Sequence, residues 1–182
     1  MSPTAKQHLA TMITSSFLQL YKTPWLLDLM TGDHIIFLKK PDDPGNVYMQ
    51  FNDAFVMKRH TEDTRKGEHN LKNASFVRNP ALVSLGILLS ELHHGKTIDS
   101  CQESYERPYN DNENLFRASL TAQRLFMERN WLNKEYANAV QLCLCGDFAG
   151  PERDVTDETF RQEMYEKVVR PLEESIRRLT FS

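Results

Sequence analysis

Between Asn79 and Ile98 the chain reads NPALVSLGILLSELHHGKTI, its longest apolar run and one with a helix signal at each end. Asn79 is a capping residue type, Pro80 suits the first helical position, where an amide has no partner anyway, and Gly95 supplies a left-handed stop. Leu82, Leu85, Leu88, Leu89 and Leu92 recur at helical spacing, and Val83 and Ile87 make the opposite side apolar too. A helix apolar nearly all round is a buried one. At about 16 residues it falls short of the roughly 20 needed to cross a bilayer, and Ser84, Ser90 and Glu91 interrupt it. The stretch is therefore read as the central post of a soluble helical domain.

The remaining segments supply helices to pack around that post. Thr4 to Tyr21 carries Leu9, Met12, Ile13, Phe17 and Leu20 at helical spacing, and Thr23-Pro24 should end it. His34 to Leu38 is rich in β-preferring residues, Pro41 to Asn46 is a turn signal, and Val47 to Met57 is a plausible second strand, so a small β-hairpin is expected after the first helix. Residues 61–73 and 97–114 are polar and read as exposed loops. Helices are expected over Asn114 to Met127 and Lys134 to Cys145, and a last one opens near Asp154 to Asp157 and shows Phe160, Met164, Val168, Leu172, Ile176 and Leu179. Pro171 has no amide to donate inside that helix, so a kink is expected near Arg170. The fold class is mainly α, a helical bundle, with residues 1–182 forming one domain.

Charge narrows the function classes. Lys and Arg total 22 against 25 Asp and Glu, a net charge of −3 with no massed basic patch, which argues against a nucleic-acid surface. Cys101, Cys143 and Cys145 cannot all pair, and Cys143-x-Cys145 lacks the gap of usual zinc and redox motifs, so free thiols in a reducing compartment are expected. The first residues show no signal-peptide core, and no transmembrane stretch follows. An intracellular protein, cytoplasmic or nuclear, is the reading; the oligomeric state is not legible.

The run Ser84-Leu85-Gly86-Ile87-Leu88-Leu89-Ser90-Glu91-Leu92, followed by Gly95-Lys96, resembles the buried helix at the centre of the protein-kinase C-terminal lobe. The N-terminal helix, then Asp28-Leu29-Met30-Thr31-Gly32-Asp33, then Ile35-Ile36-Phe37-Leu38, is similar to that family's helix, catalytic loop and following strand. In kinases the loop reads His-Arg-Asp, four residues, then Asn, with the Asp near the substrate hydroxyl and the Asn on magnesium. Here Asp28 and Asp33 keep the spacing, but the His and Arg are replaced by Leu26 and Leu27. No glycine-rich loop, strand lysine or Asp-Phe-Gly is found, and Asn52-Asp53-Ala54-Phe55 lacks the glycine. The buried aspartate that the family carries on its central helix is replaced by Ala81. The resemblance therefore implies a C-lobe without an N-lobe and without transfer chemistry.

Four ordered blocks resemble a fungal family of kinase-like domains of unknown function. They are Leu18 to Leu26 with Asp33-x-Ile35-x-Phe37; Asn79-Pro80-x-Leu82-x-x-Leu85-Gly86; Tyr136-Ala137-x-Ala139-Val140-x-x-Cys143-Leu144-x-x-Asp147-Phe148; and Val168-Val169-x-Pro171-Leu172-Glu173. Members are commonly longer, so the chain is expected to match their C-terminal part. The family offers no established catalytic residues.

Other constellations are weaker. His93 and His94 are adjacent, so on a helix they point about 100° apart and should not share one metal ion; favourable charge at a helix C-terminus is the simpler account. Cys101 is the best placed thiol for a nucleophile, with no paired base legible. The reading that follows is a catalytically inactive, pseudokinase-like interaction or regulatory module without cofactor or metal, acting on a protein partner through a surface near Trp25, Asp28 and Asp33. The alternatives are a divergent phosphotransferase completed by another chain, with Asp28 and Asp33 on magnesium, and a helical oligomerisation domain.

Overall fold

The computed structural model describes residues 1–20, 23, 29–32, 35–37, 54–56, 77, 79–108, 113–128, 130–146, 148 and 158–180, and it is mainly helical. Helix α1 (Pro3–Leu20) opens with Ser2, whose hydroxyl accepts from the Ala5 amide at 3.2 Å. It buries Leu9, Ala10, Ile13 and Phe17. Thr14 lies among these apolar residues at 0 % exposure, and its hydroxyl is satisfied by donating to the Ala10 carbonyl at 2.9 Å.

The central post is α2 (Pro80–His94), and its ends are built as the residue types require. Asn79 accepts from the Leu82 amide, Pro80 occupies the first turn, and Gly95 closes the helix at φ 68° while its amide donates to the Glu91 carbonyl. Every residue from Ala81 to Ser90 is buried. Helix α3 (Asn114–Met127) buries Ala118, Ala122 and Leu125, while Leu115 and Phe126 are half-buried. Helix α4 (Lys134–Cys145) is capped by Asn133, which accepts from the Tyr136 amide, and ends at Gly146 with φ 65°. It packs on α2 more extensively than any other element, and α3 covers a neighbouring side of α2.

The C-terminal stretch runs as α5 (Glu158–Met164), a π turn (Tyr165–Val169) and α6 (Arg170–Thr180). The expected interruption at Pro171 takes the form of that π turn, in which the Arg170 amide donates to the Tyr165 carbonyl. Widening the helix just before Pro171 accommodates a residue that has no amide and whose ring crowds the preceding turn. Phe160, Met164, Val168 and Leu172 are buried as the spacing requires, and Val169 joins them at 1 % exposure. Both α6 and the π turn pack on α1.

Two three-residue strands, β1 (Ile35–Phe37) and β2 (Ala54–Val56), pair antiparallel with Ile36 opposite Phe55. The turn expected between them and the loop expected over 61–73 lie outside the described residues. The polar connector after α2 departs from an exposed loop: Ile98–Cys101 forms a 3-10 turn, and Ile98 and Glu106 are buried at 6 % and 3 % exposure. No helix among the described residues is long and apolar enough to cross a membrane.

Candidate functional site

Trp25, Asp28 and Asp33 lie outside the described residues, as does the Asn52-Asp53 pair. The tetrapeptide between the two aspartates is described, and it is fastened to the central post. Met30 is 2 % exposed, and its amide donates to Ser84 Oγ at 3.0 Å. The same hydroxyl donates to the Ala81 carbonyl at 2.8 Å, so one serine on α2 satisfies its own proton and holds the Met30 backbone. A side chain on Gly32 would meet Leu88 Cδ1 of α2 at 3.9 Å, an ordinary contact distance. The candidate segment thus rests against the middle of the most deeply buried helix.

A second cluster closes the C-terminal end of α2. The His93 ring stacks on Trp131, with centroids 4.4 Å apart, and the His94 ring stands edge-on to His93 at 4.7 Å. Trp131 is fixed by its indole N–H, which donates to the Phe126 carbonyl at 3.1 Å. Burial lowers the pKa of both imidazoles; for His93, His94 and Lys6 lower it further, while the bond to the Asn130 backbone opposes them. For His94, Glu128 opposes the lowering while Lys6 and Lys96 add to it. Such a shift favours neutral rings, so the expected cationic role at the helix terminus is corrected: Lys6 Nζ of α1 donates to the His93 carbonyl and places the positive charge there. His93 Nδ1 and His94 Nε2 are buried without a partner. Among the described residues no group of three or more His, Cys, Asp and Glu side chains is placed to hold a metal ion.

The third polar centre was not legible in sequence. Glu106 accepts from Arg124 Nε at 2.8 Å and Nη2 at 2.9 Å, and from Thr121 Oγ1 at 3.2 Å. Arg124 also donates to the Cys101 carbonyl at 2.7 Å, which ties the connector after α2 onto α3. The Arg124 guanidinium holds the Glu106 carboxyl at about 2, well below the usual carboxylate range. A fork of this kind is structural cement, because both donors and acceptors are consumed by one another and by backbone.

Among the thiols, Cys143 is fully buried, and burial pushes it up to about 12, which leaves it inert at neutral pH. Cys101 is half-buried and Cys145 exposed, and none of the three forms a disulfide. The chemistry of the described interior is thus directed at its own backbone: Tyr136 donates to the Leu89 carbonyl, Ser90 to Gly86, and Glu91 accepts from the Ile98 amide.

These features define a mainly helical domain in which several buried polar side chains bond to the chain's own backbone. The chain belongs to the family described as Domain of unknown function (DUF7580), whose pattern spans residues 1–179. No curated protein and no solved structure matches it.

Proposed function

We propose that the chain is a catalytically inactive, kinase-like interaction or regulatory module: a body resembling the kinase C-terminal lobe, with a small hairpin after the first helix. The observation that carries this reading is the Ser84 anchor. The segment that resembles a catalytic loop is held on the central helix by a neutral hydroxyl at 3.0 Å, while Ala81 stands where the resemblance implies a buried aspartate. The resemblance extends to the spacing of Asp28 and Asp33 and to the pattern of the central helix, but not to that helix's buried aspartate or to the His-Arg pair. The resemblance to the fungal kinase-like family across four blocks supports the same reading.

The proposed contact surface lies around Trp25, Asp28, Asp33 and the strand pair, the face that a nucleotide-holding lobe would cover in a kinase. Its occupant is a protein partner, in the cytoplasm or nucleus, and neither nucleic acid nor membrane enters the account. The test is a phosphoryl-transfer assay with magnesium and labelled ATP, using a generic acceptor protein and water as acceptors. The expected result is no transfer above a blank. Transfer that disappears in Asp28→Ala or Asp33→Ala would establish the phosphotransferase reading instead.

A further inference from the structure

The connector between α3 and α4 is fastened to the C-terminal end of α2 through two imidazoles. Trp131 stacks on His93 with centroids 4.4 Å apart and meets His94 edge-on at 5.5 Å, with Phe126 at 5.6 Å behind it. The His93 ring also bonds to the backbone of Asn130, the residue before Trp131. Imidazole is the side chain whose charge changes nearest neutral pH, so the fastening is made of groups that a proton can alter.

Hydrogen bonding fixes which protonation state fits. His93 Nδ1 has no partner, so the ring donates to the Asn130 backbone from Nε2, and a neutral ring then has no further proton to place. His94 Nε2 is likewise closed to solvent and without a partner. An imidazolium carries a proton on both nitrogens, so charging either ring creates a buried, charged donor that faces no acceptor. The surroundings add to that cost. Lys6 of α1 bears on both rings and Lys96, beyond α2, on His94, against Glu128 after α3; Tyr136 of α4, 5.9 Å from His93, is a neutral donor committed to the Leu89 carbonyl. Two charged rings 4.7 Å apart would also repel each other. The Trp131 face attracts a cation, but it accepts neither orphaned N–H. Because water does not reach these two nitrogens, the rings take up protons by parting from their neighbours.

We propose that the His93, His94 and Trp131 cluster is a proton-operated latch, closed while both imidazoles are neutral and opened when they charge, which frees Trp131 and the Asn130 backbone from α2. The helices stay in place because their contacts with α2 are made elsewhere, through Ala118 and Ala122 of α3 and through Ala139, Val140 and Cys143 of α4.

The test is a fluorescence titration of the full chain carrying Trp25→Phe, which leaves Trp131 as its one tryptophan. From pH 8 to pH 5 the emission should move to longer wavelength and acrylamide should quench it severalfold better, with a midpoint below 6.5 and the far-UV helix signal retained. His93→Phe combined with His94→Phe keeps a ring at both places and removes the protons, and it should hold the emission at its pH 8 position throughout. An emission that stays put would overturn the proposal, as would one that dims without gaining acrylamide access, the mark of a charged ring quenching a Trp131 that has not moved. So would a shift that the paired phenylalanine variant retains, or one that coincides with loss of the helix signal. Should that variant fail to fold, His93→Phe alone, which keeps the stack, should reduce the shift, and an undiminished shift would count against the latch.

Discussion

A Cβ placed on Gly86 would stand 2.9 Å from Leu144 Cδ2, 3.0 Å from Leu144 Cγ and 3.1 Å from Cys143 Cβ. The bare backbone at Gly86 is what lets α4 approach the central helix, and it explains a glycine in the middle of a helix where alanine would be favoured by about 1 kcal/mol. Leu144 Cδ2 and Cγ can shift by side-chain rotation, but Cys143 Cβ moves only with the helix. Gly86→Ala is therefore expected to lose about 1–3 kcal/mol net by overpacking, read as a lower urea midpoint. A stabilised variant would show that the α2 to α4 contact yields easily.

Tyr136 crosses the same interface. It is 0 % exposed, and its hydroxyl donates to the Leu89 carbonyl at 2.8 Å. Burial raises its pKa, so it remains a neutral donor at any working pH. Tyr136→Phe keeps the ring and should cost about 1 kcal/mol, whereas Tyr136→Ala should cost about 3–5 kcal/mol because the ring volume goes too. Denaturant unfolding of the two variants separates bond from packing.

Ser84→Ala leaves the buried Met30 amide without its acceptor. A loss of about 1–3 kcal/mol is expected, with faster hydrogen exchange at Met30 ahead of the rest of α2. Unchanged exchange at that amide would mean that the segment is held by other contacts.

The Glu106 carboxyl should shape the acid limb of stability. Its pKa is about 2 in the folded chain against an ordinary 4.5, so the unfolded chain binds the extra proton. Its stabilising contribution is complete above pH 4.5 and is lost as pH falls from there towards 2. Glu106→Gln should lower the midpoint near neutrality and flatten the slope between those values. A variant with the parent's slope would place the acid sensitivity elsewhere.

The imidazoles act in a higher window. Both histidines have folded pKa values below 6.5, so the unfolded chain again takes up protons first, and stability falls as pH drops below 6.5. His93→Phe retains the stack on Trp131 and should remove part of that dependence, measured as the unfolding midpoint from pH 8 to pH 5.

The central helix was legible because it carried both a period and a punctuation mark at each end. Asn79, Pro80 and Gly95 bracket α2, in agreement with the bounds read from residue types, and α4 spans the expected Lys134 to Cys145, with Asn133 as a cap that the residue types had not singled out. The interior of α4 was equally plain, since Tyr136, Ala139, Val140, Cys143 and Leu144 form one apolar stripe that is buried. The Glu106 to Arg124 fork was hidden because its partners are 18 residues apart, one in a stretch whose polarity looked like solvent exposure. Composition reports polarity and not what a polar group meets. The histidines misled for the same reason: their place at a helix terminus suggested charge, but Trp131 and Lys6, distant in sequence, supply the burial and the cation that displace it. Of the candidate site, the sequence offered the aspartate spacing, whereas the Met30 to Ser84 bond that anchors the intervening residues spans 54 positions and has no local signal.

The most direct measurement is thermal unfolding of the chain with and without magnesium and ATP, since a ligand that binds only the folded state must raise the midpoint. An inactive interaction module predicts a cooperative transition that millimolar magnesium and ATP leave unmoved. A magnesium-dependent rise that Asp28→Ala or Asp33→Ala abolishes would contradict the account and make the chain a nucleotide-binding enzyme.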